Sequence, residues 1–325
     1  KRYSALRIGG EAELAYVFDI RDVLAVVSYA RIHNKSIIPL GEGTNSYFGN
    51  SLSKYLFVKN EIKGVSVEDK GNEVFLTASA GEKWDDITLL SVEKGLWGIE
   101  NLSYIPGTVG AAPVQNIGAY GTELKDVFVS LSAYDIKNST IVEIRKEGCD
   151  FGYRDSLFKK EKNRYIILGI TLKLSKTPKP VLTYKPLDTL AGKEDLTVST
   201  IRELVIATRT SKLPDYKEFP NTGSFFKNPV VTKEEGEKLR LLYPVIPLLT
   251  FGDGYKIPAA WLIEHVAKMK GVRVNDVGTW PNQPLVLVNY GETTYEEIEA
   301  FIAEIIEKIR SKTGVVIEKE VNFLE

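Results

Sequence analysis

Three places in the chain carry groups able to move charge or protons. Glu318 and Glu320 lie one residue apart near the end, Ser224 follows Gly223 in a run with two phenylalanines, and Arg154 sits in the sequence Tyr153, Arg154, Asp155, Ser156. These groups stand out because the usual reagents are scarce. Only His33, His265 and Cys149 are present, and both histidines fall in helical patterns where packing or a surface place is expected. A single cysteine excludes an internal disulfide and a cysteine-based metal site, and no metal is expected. Proton chemistry therefore falls to carboxylates, hydroxyls, lysine or tyrosine. A structural reading stands beside each candidate. Arg154 and Asp155 fit a solvated turn with a local ion pair, and the two glutamates fit a solvated strand face. In a strand over residues 315–324, Glu318 and Glu320 would share one side with Val316 and Asn322, while Ile317, Val321 and Phe323 face the other way. Ser224 is harder to assign to packing, since its glycine neighbour suits an exposed hydroxyl.

Residues 103–123, SYIPGTVGAAPVQNIGAYGTE, contain Gly107, Gly110, Gly118 and Gly121 and no apolar run long enough for a core element. Glycine adds no side-chain packing, so such a stretch reads as a backbone path lying against another body. A second glycine turn, GEGTN at residues 41–45, follows the strand-like SIIPL, an arrangement that exposes backbone N–H groups to phosphate. Ser46 stands where a dinucleotide fingerprint needs its third glycine, and no lysine-containing phosphate loop occurs. Neither a Rossmann nor a P-loop reading is supported.

The elements around these loops are mixed. Residues 19–31 have the apolar spacing of a helix with Asp19 as N-cap, and YLFVK follows as a strand. A hairpin about Gly71 and Asn72, a short helix ending at Gly95, and strands VFVSLSAY, STIVEI and YIILGITLKL predict a mostly antiparallel sheet. Residues 175–199, rich in proline and lysine, read as an irregular loop carrying Tyr184. The helix TIRELVIATRTSK follows, and then LPDYKEFPNTGSFFKNPVV, which has no clear assignment. Thr232 with Glu235 and Thr294 with Glu297 have capping-box spacing. Ile298, Phe301, Ile302, Ile305, Ile306 and Ile309 form one apolar stripe, predicted to be core, before Gly314. A helix in PAAWLIEHVAKMKG and the strand LVLVN complete an α+β region.

The 325 residues suggest more than one domain, divided here as 1–63, 64–213 and 214–325. Lys and Arg total 42 against 43 Asp and Glu, so no global field favours nucleic acid or an anionic membrane. No stretch approaches the ~20 apolar residues of a spanning helix, and residues 1–10 lack a signal-peptide core. A cytoplasmic location and a monomer are the default expectations.

Taken together, the motifs resemble one family. GEGTN at Gly41, IPGTVG at Ile105, PVQNIGAYG at Pro113, FGYRDSLFK at Phe151, SKLPD at Ser211, GSFFKNP at Gly223, AAWLIE at Ala259, QPLVLVN at Gln283 and IEKEV at Ile317 occur in the order found in UDP-N-acetylenolpyruvoylglucosamine reductases (MurB). VLTYKPL at Val181 resembles the subclass that closes a tyrosine-bearing loop over substrate. The resemblance implies an α+β protein with two FAD-binding lobes of the vanillyl-alcohol-oxidase/PCMH type, residues 1–63 and 64–213, and a smaller substrate domain, 214–325. It implies non-covalent FAD held by Gly41, Gly43, Thr44 and Asn45, by Ile105, Pro106, Gly107 and Gly110, and by Asn116, Gly118, Ala119, Tyr120 and Gly121, with Arg209 on the flavin side. NADPH would reduce the flavin, and the enolpyruvyl ether of UDP-N-acetylglucosamine would then accept the hydride. In that scheme Arg154 stabilises the enolate, a protonated Glu320 donates to the substrate carboxylate, and Ser224 supplies the proton. Tyr153, Tyr184, Lys212, Asn228 and Gln283 would hold the nucleotide and sugar. Lys319 and Asn322 stand where members typically carry proline and arginine. Two other readings fit less well: an FAD-dependent oxidase or dehydrogenase of the same fold, against which GSFFKNP and the scarcity of histidine stand, and a non-catalytic flavin or nucleotide-sugar binder, which would be expected to have lost Ser224, Arg154 or Glu320.

Overall fold

The computed structural model describes residues 1–324. The chain forms two compact units. One comprises Lys1–Gly10, Gly43–Leu52 and Thr210–Glu325, and the other Glu11–Glu42 and Ser53–Arg209.

In the second of these units, Asp19 caps the helix Ile20–Ile32 by accepting from the N–H groups of Arg21 at 2.7 Å and Asp22 at 3.2 Å. Val23, Val27 and Ala30 on one face are buried in a core shared with a three-stranded parallel sheet. Its central strand, Tyr55–Asn60, pairs with Glu13–Val17 on one side and Ser36–Leu40 on the other. A five-stranded antiparallel sheet follows, in the order Thr140–Arg145, Phe128–Asp135, Tyr165–Ser175, Glu73–Ser79 and Val65–Lys70. Leu76, Leu131, Ala133, Ile170 and Leu172 are buried in one core on this sheet, while Tyr134 and Ile166 are buried in the core of the parallel sheet. Residues 103–123 run as short turns with no long strand or helix, as their glycine content predicts.

The other unit holds a four-stranded antiparallel sheet in the order Asn221–Ser224, Gln283–Asn289, Val277–Trp280, Arg273–Val274. Both expected capping boxes are formed, at the starts of Lys233–Leu242 and Tyr295–Thr313. The apolar stripe of the latter is core, with Ile298, Phe301, Ile302, Ile305 and Ile309 buried, and Gly314 ends the helix at φ 73°. The expected helix in PAAWLIEHVAKMKG is one α-turn, Ala259–Trp261, continued as a π-helical segment, Leu262–Ala267. The His33 ring packs tilted against Tyr29, and the His265 ring stacks on Trp261.

Two expectations need correction. The segment without assignment contains two strands, Asn221–Ser224 and Val230–Thr232. The terminal strand is regular only over Asn322–Leu324, which pairs in parallel with Ser46–Phe48. Before it, Lys319 forms an isolated antiparallel bridge with Phe226. The chain changes partner between these contacts, so the two-residue alternation fails and the two glutamates do not share a face. The Glu318 side chain is 74% exposed, whereas Glu320 is 8% exposed.

Candidate active site

Within the unit comprising Glu11–Glu42 and Ser53–Arg209, the glycine-rich path is fixed by side chains around it. The Glu42 carboxylate accepts from the Gly107 N–H at 3.0 Å. Gly41 lies close to the same turn, where a Cβ would fall 2.8 Å from Thr108 Oγ1 and the Thr108 side chain would have to move. Residues 82–84 and 107–109 pair through Trp84 N–H to Gly107 O and Val109 N–H to Glu82 O, which turns the Thr108 N–H to the opposite side. Tyr104 enters the path at φ 60°, a left-handed conformation that a non-glycine residue adopts at a cost. Its peptide is held from both sides. Its N–H donates to Asp85 Oδ1 at 2.5 Å, and its carbonyl accepts from Arg209 Nε at 3.1 Å.

Asp85 is gripped in turn by Arg202, with Nη1–Oδ1 at 2.7 Å and Nη2–Oδ2 at 2.8 Å. Burial opposes its ionisation, but the Arg202 guanidinium and the Tyr104 N–H outweigh that and hold its carboxyl below the usual range. Arg209 differs. Desolvation pushes its pKa down, opposed by Tyr120, Asp85 and Tyr104 nearby. Burial pushes the Tyr120 phenol up.

Arg154 belongs to the same unit and lies along this path. Its Nη2 donates to the Gly118 carbonyl at 2.7 Å, and a Cβ on Gly118 would come within 2.9 Å of Nη1. The guanidinium also covers the Tyr153 ring, 5.5 Å from its centroid. The expected turn exists, as a bridge between Gly152 and Asp155, but the local ion pair has another composition. The Asp155 carboxylate lies 3.5 Å from Lys160 Nζ, while Arg154, at φ 54°, reaches the glycine path. Asn116 ties the two segments together. Its Nδ2 donates to Gly152 O at 3.0 Å and Glu123 Oε2 at 3.1 Å, and its Oδ1 accepts from the Lys125 N–H. Buried Ser156 adds a second tie, donating to Val114 O at 2.6 Å while capping Leu157–Lys160. Cys149 is also buried, and burial pushes its thiol up to about 12. It stays protonated and unreactive.

Ser224 and Glu320 belong to the other unit, where backbone pairing brings them together. Ser224 ends the strand Asn221–Ser224 opposite Val286, and Gly223 before it has φ 69° with open space, clear to 4 Å, where a Cβ would lie. The Glu320 N–H donates to Phe225 O at 2.7 Å, and the Lys227 N–H donates to Glu318 O at 2.9 Å. Phe225 and Phe226 are fully buried and anchor this pairing. Asn228 Oδ1 accepts from the Ala259 N–H at 2.8 Å, at the start of the Ala259–Trp261 turn. Gln283 begins the strand Gln283–Asn289, and Lys212 is exposed at the end of Val198–Lys212. In the loop 41–45, the Gly43 carbonyl accepts from the Ala5 N–H, and a Cβ on Gly43 would fall 2.1 Å from Tyr3 O. The Asn45 carbonyl accepts from the Asn322 N–H at 3.0 Å, next to half-buried Thr44.

Residues 214–324 match the model of the UDP-N-acetylenolpyruvoylglucosamine reductase C-terminal domain, and residues 13–145 match an FAD binding domain. The UDP-N-acetylenolpyruvoylglucosamine reductase of Pseudomonas aeruginosa is 40% identical over 99% of this chain and 96% of its own length. The chain belongs to the UDP-N-acetylenolpyruvoylglucosamine reductase family. The reductase of Alcanivorax borkumensis is 41% identical over 92% of this chain and 87% of its own length. The solved structure of the UDP-N-acetylenolpyruvylglucosamine reductase from Thermus caldophilus superposes with a TM-score of 0.69 at 20% identity, over 99% of this chain and 96% of that one. The expected fold therefore holds: α+β, with an FAD-binding region and a C-terminal domain of this reductase family.

The residues of the glycine path fit a flat, acceptor-rich cofactor such as FAD. Among the described residues, the Ile105 and Thr108 N–H groups give no backbone hydrogen bond, and Arg209 brings a desolvated cation to the same turn. Sequence reading missed the side chains that hold this path in shape: Glu42, Asp85, Asn101, Ser156 and Arg202. Glu42 lies inside the GEGTN motif and Ser156 inside FGYRDSLFK. The others sit on helices or turns whose partners are distant in sequence, and no local spacing marks them.

Among the described residues no helix is long and apolar enough to cross a membrane, and no group of three His, Cys, Asp or Glu side chains could hold a metal.

Proposed function

We propose that this chain reduces UDP-N-acetylglucosamine enolpyruvate to UDP-N-acetylmuramate at the expense of NADPH, as a monomer in the cytoplasm. The observation that carries the reading is the near full-length match to reductases of that name, joined to a glycine path with a guanidinium lying on it. FAD, when bound, would supply hydride chemistry, accepting from NADPH and giving to the enolpyruvyl methylene.

The residues of the chain would do the rest. Gly41, Gly43, Thr44, Asn45, Ile105, Pro106, Gly107, Gly110, Asn116, Gly118, Ala119, Tyr120 and Gly121 bind the cofactor through backbone and small side chains, with Arg209 facing its anionic edge. Asn116 acts through its backbone and by holding the Gly152 turn, because its amide is engaged within the protein. Hydride addition builds negative charge on the substrate carboxylate as an enolate. Arg154, always cationic and already resting on the Gly118 carbonyl, stabilises that charge. Glu320 is the second group on the carboxylate. An ionised glutamate would repel it, so Glu320 acts protonated, and its burial supports that state. Ser224 gives its proton to the enolate carbon; a hydroxyl is a weak acid, but an enolate is a strong base. Tyr153, Tyr184, Lys212, Asn228 and Gln283 hold the nucleotide diphosphate and sugar. The residues would divide as cofactor lobes over 1–63 and 64–213 and a substrate region over 214–325.

The test is the visible spectrum of the flavin-loaded protein under anaerobic conditions. Its yellow colour should bleach with NADPH and return on adding UDP-N-acetylglucosamine enolpyruvate. Recovery with oxygen alone, and none with the sugar nucleotide, would instead identify an oxidase.

A further inference from the structure

Asn101 lies in the turn Glu100–Leu102 and is 1% exposed. Its Nδ2 donates to the carbonyl of Tyr120 and to the carbonyl of Val181, each at 2.9 Å. Both partners are acceptors, so the amide orientation follows from chemistry, with the NH2 end toward them. The cost falls on the other end, because Oδ1 is buried without a hydrogen-bond partner. An unpaired buried acceptor is unfavourable, and a hydroxyl or a carboxyl could not supply two protons to two carbonyls. The side chain is suited to its two bonds rather than to packing.

Those bonds join two functional segments. Tyr120 belongs to the glycine-rich path, and Val181 lies three residues before Tyr184 in the loop that follows Ser175. Gly121 makes the same connection sterically. It has φ 85°, and a Cβ there would fall 3.1 Å from both Tyr184 Cδ2 and Val181 Cγ1 and 3.2 Å from Thr183 Oγ1. The loop tip has little burial of its own. Thr183, Tyr184 and Lys185 are exposed, and the next apolar anchors are Leu187, whose N–H donates to Tyr184 O at 2.8 Å, and Leu190.

We propose that Asn101 is a positioning residue for substrate binding, which ties Val181 to Tyr120 and so fixes the place from which Tyr184 meets the nucleotide sugar. The base of the loop at Val181 is then fixed before substrate arrives, so the Tyr184 tip closes from a set place and binding need not order that base. This rests on the reading that Tyr184 contacts the substrate.

Asn101→Ala and the nearly isosteric Asn101→Asp, which cannot donate to both carbonyls, test the proposal in the FAD-loaded full chain. Amide hydrogen exchange over residues 182–187, measured without substrate, should speed up by about tenfold for loss of two hydrogen bonds. KM for the sugar nucleotide should rise by a similar factor, while flavin reduction by NADPH keeps its rate. Unchanged exchange in whichever variant retains flavin overturns the proposal. Faster exchange with unchanged KM supports the tie and overturns the Tyr184 reading instead.

Discussion

The backbone N–H of Glu320 donates to the carbonyl of Phe225, the residue after Ser224, at 2.7 Å. The candidate proton donor Ser224 and the candidate carboxylate partner Glu320 are therefore placed by main-chain pairing between buried Phe225 and the terminal segment, independent of either side chain. Ser224→Ala should leave the fold and flavin reduction by NADPH intact while slowing the second half-reaction by about 10²-fold or more, the usual cost of losing a positioned acid. Stopped-flow absorbance of the flavin measures the halves separately. Slowed NADPH oxidation with normal substrate reduction would remove Ser224 from the proton-donor role.

The failed alternation at the terminal segment yields a paired comparison. Glu318 is exposed and lies 3.6 Å from Lys227 Nζ, so Glu318→Gln removes a weak surface ion pair and should leave turnover within about twofold. Glu320→Ala removes the buried hydrogen-bond donor proposed for the substrate carboxylate, and should cost more turnover than the Glu318 change. Equal effects in steady-state assays would mean that burial does not separate their roles.

Much of the fold was legible because its signals are local. The caps at Asp19, Thr232 and Thr294, the stripe from Ile298 to Ile309, and the hairpin at Gly71 each lie within a few residues, and all appear in the structure. The site was legible only as a set of motifs. What was missed depends on distant partners. Asn221–Ser224 becomes a strand by pairing with Val286 and Val288, and Glu320 is buried because the chain passes from Phe226 to Ser46–Phe48. No periodicity over ten residues contains that exchange.

Arg154 makes directional contacts with the Gly118 carbonyl and the Tyr153 ring. Lysine keeps the charge but not the planar fork, so Arg154→Lys should lower the rate of substrate reduction by about 10²-fold. Single-turnover reoxidation of the reduced flavin by substrate reads this directly. Near-normal turnover would assign Arg154 to the turn alone.

Lys319 precedes Glu320, and its cation is absorbed locally. Its Nζ lies 2.5 Å from Glu299 Oε1, over the rings of Tyr47 at 5.3 Å and Phe323 at 5.2 Å, and Tyr47 Oη also donates to Glu299. This cluster fastens Asn322–Leu324 to Ser46–Phe48 beside Glu320. Glu299→Gln should destabilise the protein by about 1–2 kcal/mol in urea unfolding. A double mutant with Lys319→Met should lose less than the sum of the single changes, since both act on one contact. Strict additivity would show that the pair is not coupled.

Asp85 predicts a pH dependence confined to acid. Its carboxyl is held below the usual range despite burial, by Arg202 and the Tyr104 N–H, so the native state favours the ionised form more than the unfolded chain does. The stabilisation is complete above the ordinary aspartate value near ~4 and is lost as pH falls through the lower native value. Asp85→Asn should destabilise the protein by about 2 kcal/mol at neutral pH, with the difference from wild type shrinking in that acid window. Because the same carboxylate holds Tyr104 at φ 60°, FAD affinity measured by fluorescence quenching should fall in Asp85→Asn at neutral pH. A variant that loses stability but binds FAD normally would show that the Tyr104 turn keeps its shape without Asp85.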